Sequence, residues 1–106
     1  MSNLKKHNIQ ESYFLDTLLD ILYSQKLQDI TIYKGTNSLA YKNIIISTAN
    51  SNTQMNGVVK KLADILKDKS NLNVEGKDST WLLIEAKEVL IHIFTNDSRK
   101  FYELED

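Results

Sequence analysis

Cysteine and proline are absent from the 106-residue chain, and glycine occurs three times. Without cysteine there can be no disulfide and no thiolate metal site, and a reducing cytoplasm is the compatible compartment. The lack of proline, beside abundant Asn, Lys and Ile, reflects an AT-rich coding bias and carries no functional meaning. Gly35, Gly57 and Gly76 stand alone, so no Walker loop or dinucleotide fingerprint is present. The only histidines are His7 and His92. Neither has a second histidine at ligand spacing, which leaves the clustered donors of a metal site unmet. No apolar run approaches the roughly 20 residues that span a bilayer. Met1 to Gln10 lacks the apolar core of a signal peptide. Nor is there a basic excess: the formal net charge is −1, and Lys5-Lys6, Lys60-Lys61, Lys67 and Arg99-Lys100 are scattered among acidic neighbours. Proteins that grip nucleic acid through its phosphates show a basic stripe, so a protein partner is the better expectation. The chain is expected to be cytoplasmic.

What is present suits one small domain spanning 1–106, with residues 1–8 as an expected flexible leader. A domain this size buries roughly 65 % of its unfolded surface and can hold a core without metal or disulfide. Asn8-Ile-Gln-Glu11 resembles a capping box, and Phe14, Leu18, Ile21 and Leu22 follow at the spacing of one helix face, predicting a helix over about 9–25. Asp29 to Tyr33 alternates as a strand does, Lys34 to Ser38 is turn chemistry, and Tyr41 to Thr48 carries Ile44-Ile45-Ile46, a strand buried on both faces. Ser51-Asn-Thr-Gln54 is a full capping box. Behind it Met55, Val58, Val59, Leu62, Ala63 and Leu66 form the strongest periodic signal, a helix over about 52–69 whose stripe is core. Val74 to Gly76 reads as a short extended piece. Trp81 to Glu85 and Val89 to Phe94, joined by Ala86-Lys87-Glu88, read as a hairpin near the sheet centre. Asn96 to Ser98 offers caps for a last helix with Phe101, Tyr102 and Leu104 as its apolar positions. The order α-β-β-α-β-β-β-α predicts a single α/β (α+β) domain, a mixed sheet of about five strands with helices packed on it.

Catalytic machinery is not visible. Ser98 follows His92 by six residues in the sequence, but nothing marks it as activated. Glu85 and Glu88 flank the hairpin link, where charges are normally solvated. Metal-dependent nucleotidyl transfer would need two carboxylates in one cleft and a phosphate-holding loop. The conspicuous residues are Trp81, His92, Arg99 and Tyr102. On composition alone they read as a core tryptophan, a satisfied strand histidine and two residues closing the sheet, although Trp, Tyr and Arg are also the types enriched at interface hot spots.

From Glu75 onward the sequence runs EGKDSTWLLIEAKEVLIHIFTNDSRKFYELE. Glu75-Gly76, Trp81, Glu85, Glu88, Ile91-His92, Arg99, Tyr102 and Leu104-Glu105 form an ordered set that resembles the ribosomal silencing factors, the RsfS/Iojap family. Asp29-Ile30 and Thr48-Ala-Asn-Ser51 extend the similarity upstream. Lys42 stands where the family usually has Asp, Thr53 where it has Arg, and Glu85-Ala-Lys87-Glu88 where it has Asp-x-Gly-Asp.

The resemblance implies a nucleotidyltransferase-like domain without catalytic equipment, no enzyme activity and no cofactor. It implies binding to the large ribosomal subunit through ribosomal protein L-fourteen, which blocks joining with the small subunit and represses translation when nutrients fall. Family members can also form homodimers. Organelle relatives act in large-subunit assembly, which is the alternative role. A nucleotide-binding enzyme is a further, remoter one. Under this reading Trp81 and Tyr102 become apolar anchors on the ribosomal protein. Arg99 is a charge-assisted contact or the organiser of one. His92 either donates a hydrogen bond across the interface or holds the strand of Trp81, and Glu75-Gly76 shape the turn before it.

Overall fold

The computed structural model describes the backbone of residues 2–35 and 40–102, and the side chains of 13–35, 40–68 and 70–99. Among these residues the elements are α1 (Ser2–Ser24), β1 (Gln28–Lys34), β2 (Asn43–Ala49), α2 (Asn52–Ile65), a 3-10 turn (Lys69–Asn71), β3 (Leu72–Glu75), β4 (Trp81–Ala86), β5 (Val89–Thr95) and α3 (Asn96–Tyr102). The element order matches the sequence reading, with the 3-10 turn added. Part of the turn at 34–38, and Leu104 with Glu105, lie outside the described residues.

Strand β2 begins at Asn43 rather than Tyr41, and β3 spans Leu72–Glu75 rather than 74–76. Three further boundaries differ for a clear local reason. Helix α1 begins at Ser2 rather than Ile9, so residues 2–8 belong to it. No proline or glycine interrupts that stretch, so the amide ladder continues through Asn8, which lies inside the helix instead of capping it. Helix α2 ends at Ile65, short of the expected 69, with Leu66 already extended at φ −92 and ψ 93. Just beyond, the Asp68 carboxylate accepts hydrogen bonds from the Ser70 amide at 3.0 Å and the Ser70 hydroxyl at 2.7 Å. Those bonds hold the Asp68 carboxyl below the usual carboxylate range and offer the backbone a turn in place of another helical residue. The hairpin link is Lys87-Glu88 alone, because Ala86 pairs with Val89 in the ladder. A two-residue link demands positive φ, and Lys87 supplies it at φ 54.

The junction of α1 and α2 is built from side-chain and backbone caps. After α1, the Lys26 amide donates to Tyr23 O at 2.9 Å and the Leu27 amide to Leu22 O at 3.1 Å. With Lys26 at φ 63, this is the Schellman arrangement. At the start of α2, Ser51 Oγ accepts from the Gln54 amide at 3.3 Å, as the capping box predicts. Gln54 Oε1 accepts from the Asn50 amide at 2.6 Å, one residue earlier than a standard box. Its Nε2 donates to Gln25 O at 3.1 Å. One glutamine therefore starts α2 and ties it to the end of α1.

The sheet order is β1-β2-β5-β4-β3. Strand β2 runs parallel to β5, and the other neighbouring pairs are antiparallel. The hairpin β4–β5 thus sits near the centre, as the sequence suggested. Helices α1 and α2 pack together on one face. Leu18, Leu22, Met55, Val58 and Leu62 from the helices meet Ile45, Leu82, Ile84, Ile91 and Ile93 from the strands in one buried cluster. Strand alternation sends the intervening residues to the opposite face.

Candidate partner-binding face

That opposite face can be read from the register. Trp81 pairs with Phe94, Leu83 with His92 and Glu85 with Leu90 across β4–β5. Ile44, Ile46 and Thr48 of β2 align with Leu90, His92 and Phe94 of β5. Thr31 and Tyr33 of β1 align with Ile46 and Ile44. Asn73 and Glu75 of β3 lie against Glu85 and Leu83. The face thus has an apolar and aromatic centre, with the acids Glu75 and Glu85 to one side.

Helix α3 covers one end of it. Thr95 Oγ1 accepts from the Ser98 amide at 3.4 Å, so Thr95, not one of Asn96 to Ser98, caps this helix. The buried Ser98 hydroxyl reaches Thr80 O at 2.7 Å, fastening the helix start to the residue before Trp81. Asn96 Nδ2 donates to Asn50 Oδ1 at 2.8 Å. Arg99 lies across the sheet end. Its Nη1 donates to Thr48 Oγ1 at 2.8 Å and to Asp29 O, and its Nη2 donates to Thr31 Oγ1 at 3.3 Å. Asp29 has φ 50 and sits in the register shift between Gln28 and Thr31. This irregularity leaves its carbonyl outside the ladder and available to the guanidinium. Under this cover Phe94, Ile46 and Thr48 are buried. Away from it Ile44, Leu83, Leu90 and His92 are half-buried, and Tyr33 is exposed.

Trp81 stands at the margin between the covered and open parts and is 37 % exposed. Its indole stacks on Phe94, ring centres 5.1 Å apart and planes at 27°, and tilts against His92 at 5.8 Å. The indole Nε1–H donates to His92 Nδ1 at 3.1 Å. His92 lies parallel to Phe94, 6.0 Å away. Burial pushes the His92 imidazole below its ordinary pKa, so the neutral ring that can accept this bond is favoured.

The turn before Trp81 explains the Glu75-Gly76 signature. Gly76 has φ +82, and a Cβ there would lie 2.3 Å from Trp81 O. The Ser79 amide donates to Gly76 O at 3.1 Å. The Ser79 hydroxyl accepts from the Trp81 amide at 3.2 Å and sits 2.6 Å from Gly76 O and 2.9 Å from Trp81 O. Only glycine permits this approach of the two strands.

Of the four residues singled out in the sequence, the structure joins Trp81 and His92 directly and sets Arg99 at the same end of the face as Trp81, over β2 and β1. Tyr102 closes α3, and its side chain lies outside the described residues. Sequence reasoning passed over Leu83, Leu90 and Ile44. Counting by twos from Trp81 and from His92 would have placed Leu83 and Leu90 beside them. Of the two threonines that seat Arg99, Thr31 carries no signal in one sequence, and Thr48 stands in the Thr48-Ala-Asn-Ser51 similarity with no sign of its partner. Among the described residues no group of His, Asp or Glu is arranged to hold a metal ion, and no helix is long and apolar enough to cross a membrane.

Fold and site together define a small α+β protein with two helices on one sheet face and an ordered aromatic cluster on the other. The profile of the family described as "Ribosomal silencing factor during starvation" (RsfS) matches residues 7–106, and the chain belongs to that family. This places it in translation regulation, in a family defined by action on the ribosome. It is 29 % identical over 104 residues to the ribosomal silencing factor RsfS of Zymomonas mobilis, covering 91 % of this chain and 78 % of that protein. It is 36 % identical over 64 residues to the chloroplastic protein Iojap of Zea mays, covering 58 % of this chain and 28 % of that longer one. The fold is shared with a crystallised protein from Chromobacterium violaceum (TM-score 0.75, 22 % identity, 89 % of this chain and 82 % of that one). A Bacillus halodurans protein is also similar in fold (TM-score 0.71, 21 % identity, 89 % and 91 % of the two chains).

Lys42 and the hairpin link are neighbours. Lys42 Nζ lies 3.3 Å from Glu88 Oε2, and the Lys42 amide donates to Glu88 O at 2.8 Å. A cation at this position therefore meets an acid of the hairpin link. Lys87, at the first position of the two-residue link, takes the positive φ that such a turn requires.

Proposed function

We propose that this protein silences translation by seating the open face of its sheet on ribosomal protein L-fourteen of the large subunit. Occupied there, the large subunit cannot join the small one, and translation falls when nutrients do. The action is steric, takes place in the cytoplasm and involves no turnover. The observation that carries the reading is Trp81, more than a third exposed yet fixed by a stacked Phe94 and a hydrogen bond to His92. An exposed aromatic held in one orientation loses little entropy on docking, which is why such residues dominate interface energetics. The half-buried Leu83 beside it, and Leu90 and Ile44 further along the same face, supply the apolar centre that a near-neutral protein needs to recognise a protein patch. Trp81 and Tyr102 are the proposed anchors, His92 supports Trp81, and Arg99 organises the sheet end from which α3 departs. A homodimer and a nucleotidyltransferase-like ancestry of the fold belong to the same proposal.

The deciding experiment is co-sedimentation with purified large subunits. Wild-type protein at micromolar concentration should travel with them, and Trp81→Ala, still folded by circular dichroism, should bind more weakly by on the order of 2 kcal/mol. Wild-type protein that stays at the top of the gradient would sink the proposal.

A further inference from the structure

We propose that His92 is a tautomer-locked donor that sets partner specificity: Trp81 occupies its Nδ1, and its Nε2–H is offered to an acceptor on the partner. The inference rests on the docking reading above. A neutral imidazole carries one proton, and a nitrogen that accepts a hydrogen bond cannot hold it. Because Nδ1 accepts the indole N–H at 3.1 Å, the proton sits on Nε2. Among the described residues Nε2 has no hydrogen-bond partner, and no buried side-chain nitrogen or oxygen lacks one, so Nε2 is open to solvent.

The surroundings make that donor consequential. Leu83 of β4 and Ile46 of β2 flank His92 in the ladder, and Leu90 and Phe94 lie two residues to either side on β5. Among the described residues, the groups on this face that can carry charge are Glu85 of β4, Glu75 of β3, Tyr33 of β1, Tyr41 before β2 and Arg99 of α3. Burial alone accounts for the depressed basicity of His92, so none of these holds the ring protonated. Tyr41 is turned to Glu85, whose hydrogen bond raises the phenol's pKa. Arg99 is turned to Thr48 and Thr31.

A partner that covers this face thus buries one N–H within an apolar ring. A donor buried without an acceptor is penalised by its full desolvation cost. The fitting partner places a backbone carbonyl or a side-chain oxygen over His92. One that presents an apolar or cationic group there is rejected. Protonating Nδ1 turns it from acceptor to donor, which expels the Trp81 N–H and frees the indole.

Two measurements test this. In the free protein, long-range nitrogen–proton NMR should show His92 as the Nε2–H tautomer, and Trp81→Phe should relax it towards a mixture. A wild-type His92 with its proton on Nδ1 overturns the inference while leaving the docking reading intact. In the second, purified large subunits are titrated with wild type, His92→Asn and His92→Gln. Asparagine can still accept from Trp81 but has no group at the Nε2 position, whereas glutamine keeps an outer amide and loses the inner acceptor. Both should bind about tenfold more weakly. Wild-type affinity should fall as pH drops through the titration of His92, and the variants should not share that fall. His92→Asn binding within twofold of wild type, with the same pH profile, overturns the inference. Failure of the wild type to bind at any pH overturns the docking reading and the inference with it.

Discussion

The two faces of the central hairpin have the same strands and opposite fates. Toward α1 and α2, β4 and β5 send Leu82, Ile84, Ile91 and Ile93, each 0–1 % exposed. Away from them they send Trp81, Leu83, Leu90 and His92, none of them buried, and Phe94, which lies under α3. Both rows are largely apolar, so hydrophobicity does not distinguish them. The difference lies in cover: among the described residues one face has two helices, the other a single short helix at one end. A contiguous apolar surface left open on a small domain marks a place where another molecule sits.

The contrast is broken most severely from the closed side. Ile91→Ala should cost about 2–5 kcal/mol of stability, since the fully buried side chain leaves a cavity between both helices and the sheet. Urea denaturation checks this, and the fraction that remains folded should bind large subunits with unchanged affinity. Trp81→Ala should do the reverse, weakening binding by about thirtyfold while lowering the denaturation midpoint less than Ile91→Ala. If the two variants shift stability equally, the faces are not functionally distinct.

A smaller effect comes from the hairpin link that joins the faces. Lys87→Gly removes a left-handed non-glycine residue but also the ammonium 4.5 Å from the centre of the Phe14 ring. Its net effect should be a gain of about 0.5 kcal/mol, read as a raised melting temperature. The smallest effect is on pH dependence. His92 has a folded pKa below its ordinary value of 6.5, so the unfolded chain binds more protons in the interval between the two. Stability should therefore fall as pH drops below about 6.5, through the folded value, and level off beneath it. In His92→Gln that component of the acid slope should vanish.

Most of the architecture was legible because its signals are periodic. The stripe from Met55 to Leu66 reflects the helix face that Met55, Val58, Leu62 and Leu66 bury, and the apolar runs 81–85 and 89–94 read as strands by their length and composition. Boundaries were less legible because they depend on single competing bonds. Asp68 turns the chain with two hydrogen bonds to Ser70, and Ala86 joins the ladder because Lys87 accepts a strained φ. The site was legible as a set of residue types, and the family match gave them meaning. Their division of labour was not legible. Nothing in the order Trp81, His92, Arg99 shows that the first two bond to each other while the third braces β1 and β2 through Thr31 and Thr48. Those contacts join residues distant in sequence and are fixed by sheet order.

That sheet order also bears on how the molecule comes into being. Strand β2 finds its parallel neighbour in β5, with Asn43 beside Val89 and Ala49 beside Thr95. Closing so long a loop is slow relative to forming a hairpin. During synthesis β1–β2 and β3–β4 can each zip locally, but β2 keeps a raw edge until 89–95 have left the exit tunnel. The insertion of that one strand completes the hydrophobic interior, delivers His92 to Trp81 and sets the start of α3 in the same event. A partly made chain has neither face, so competence to bind should switch on late and all at once.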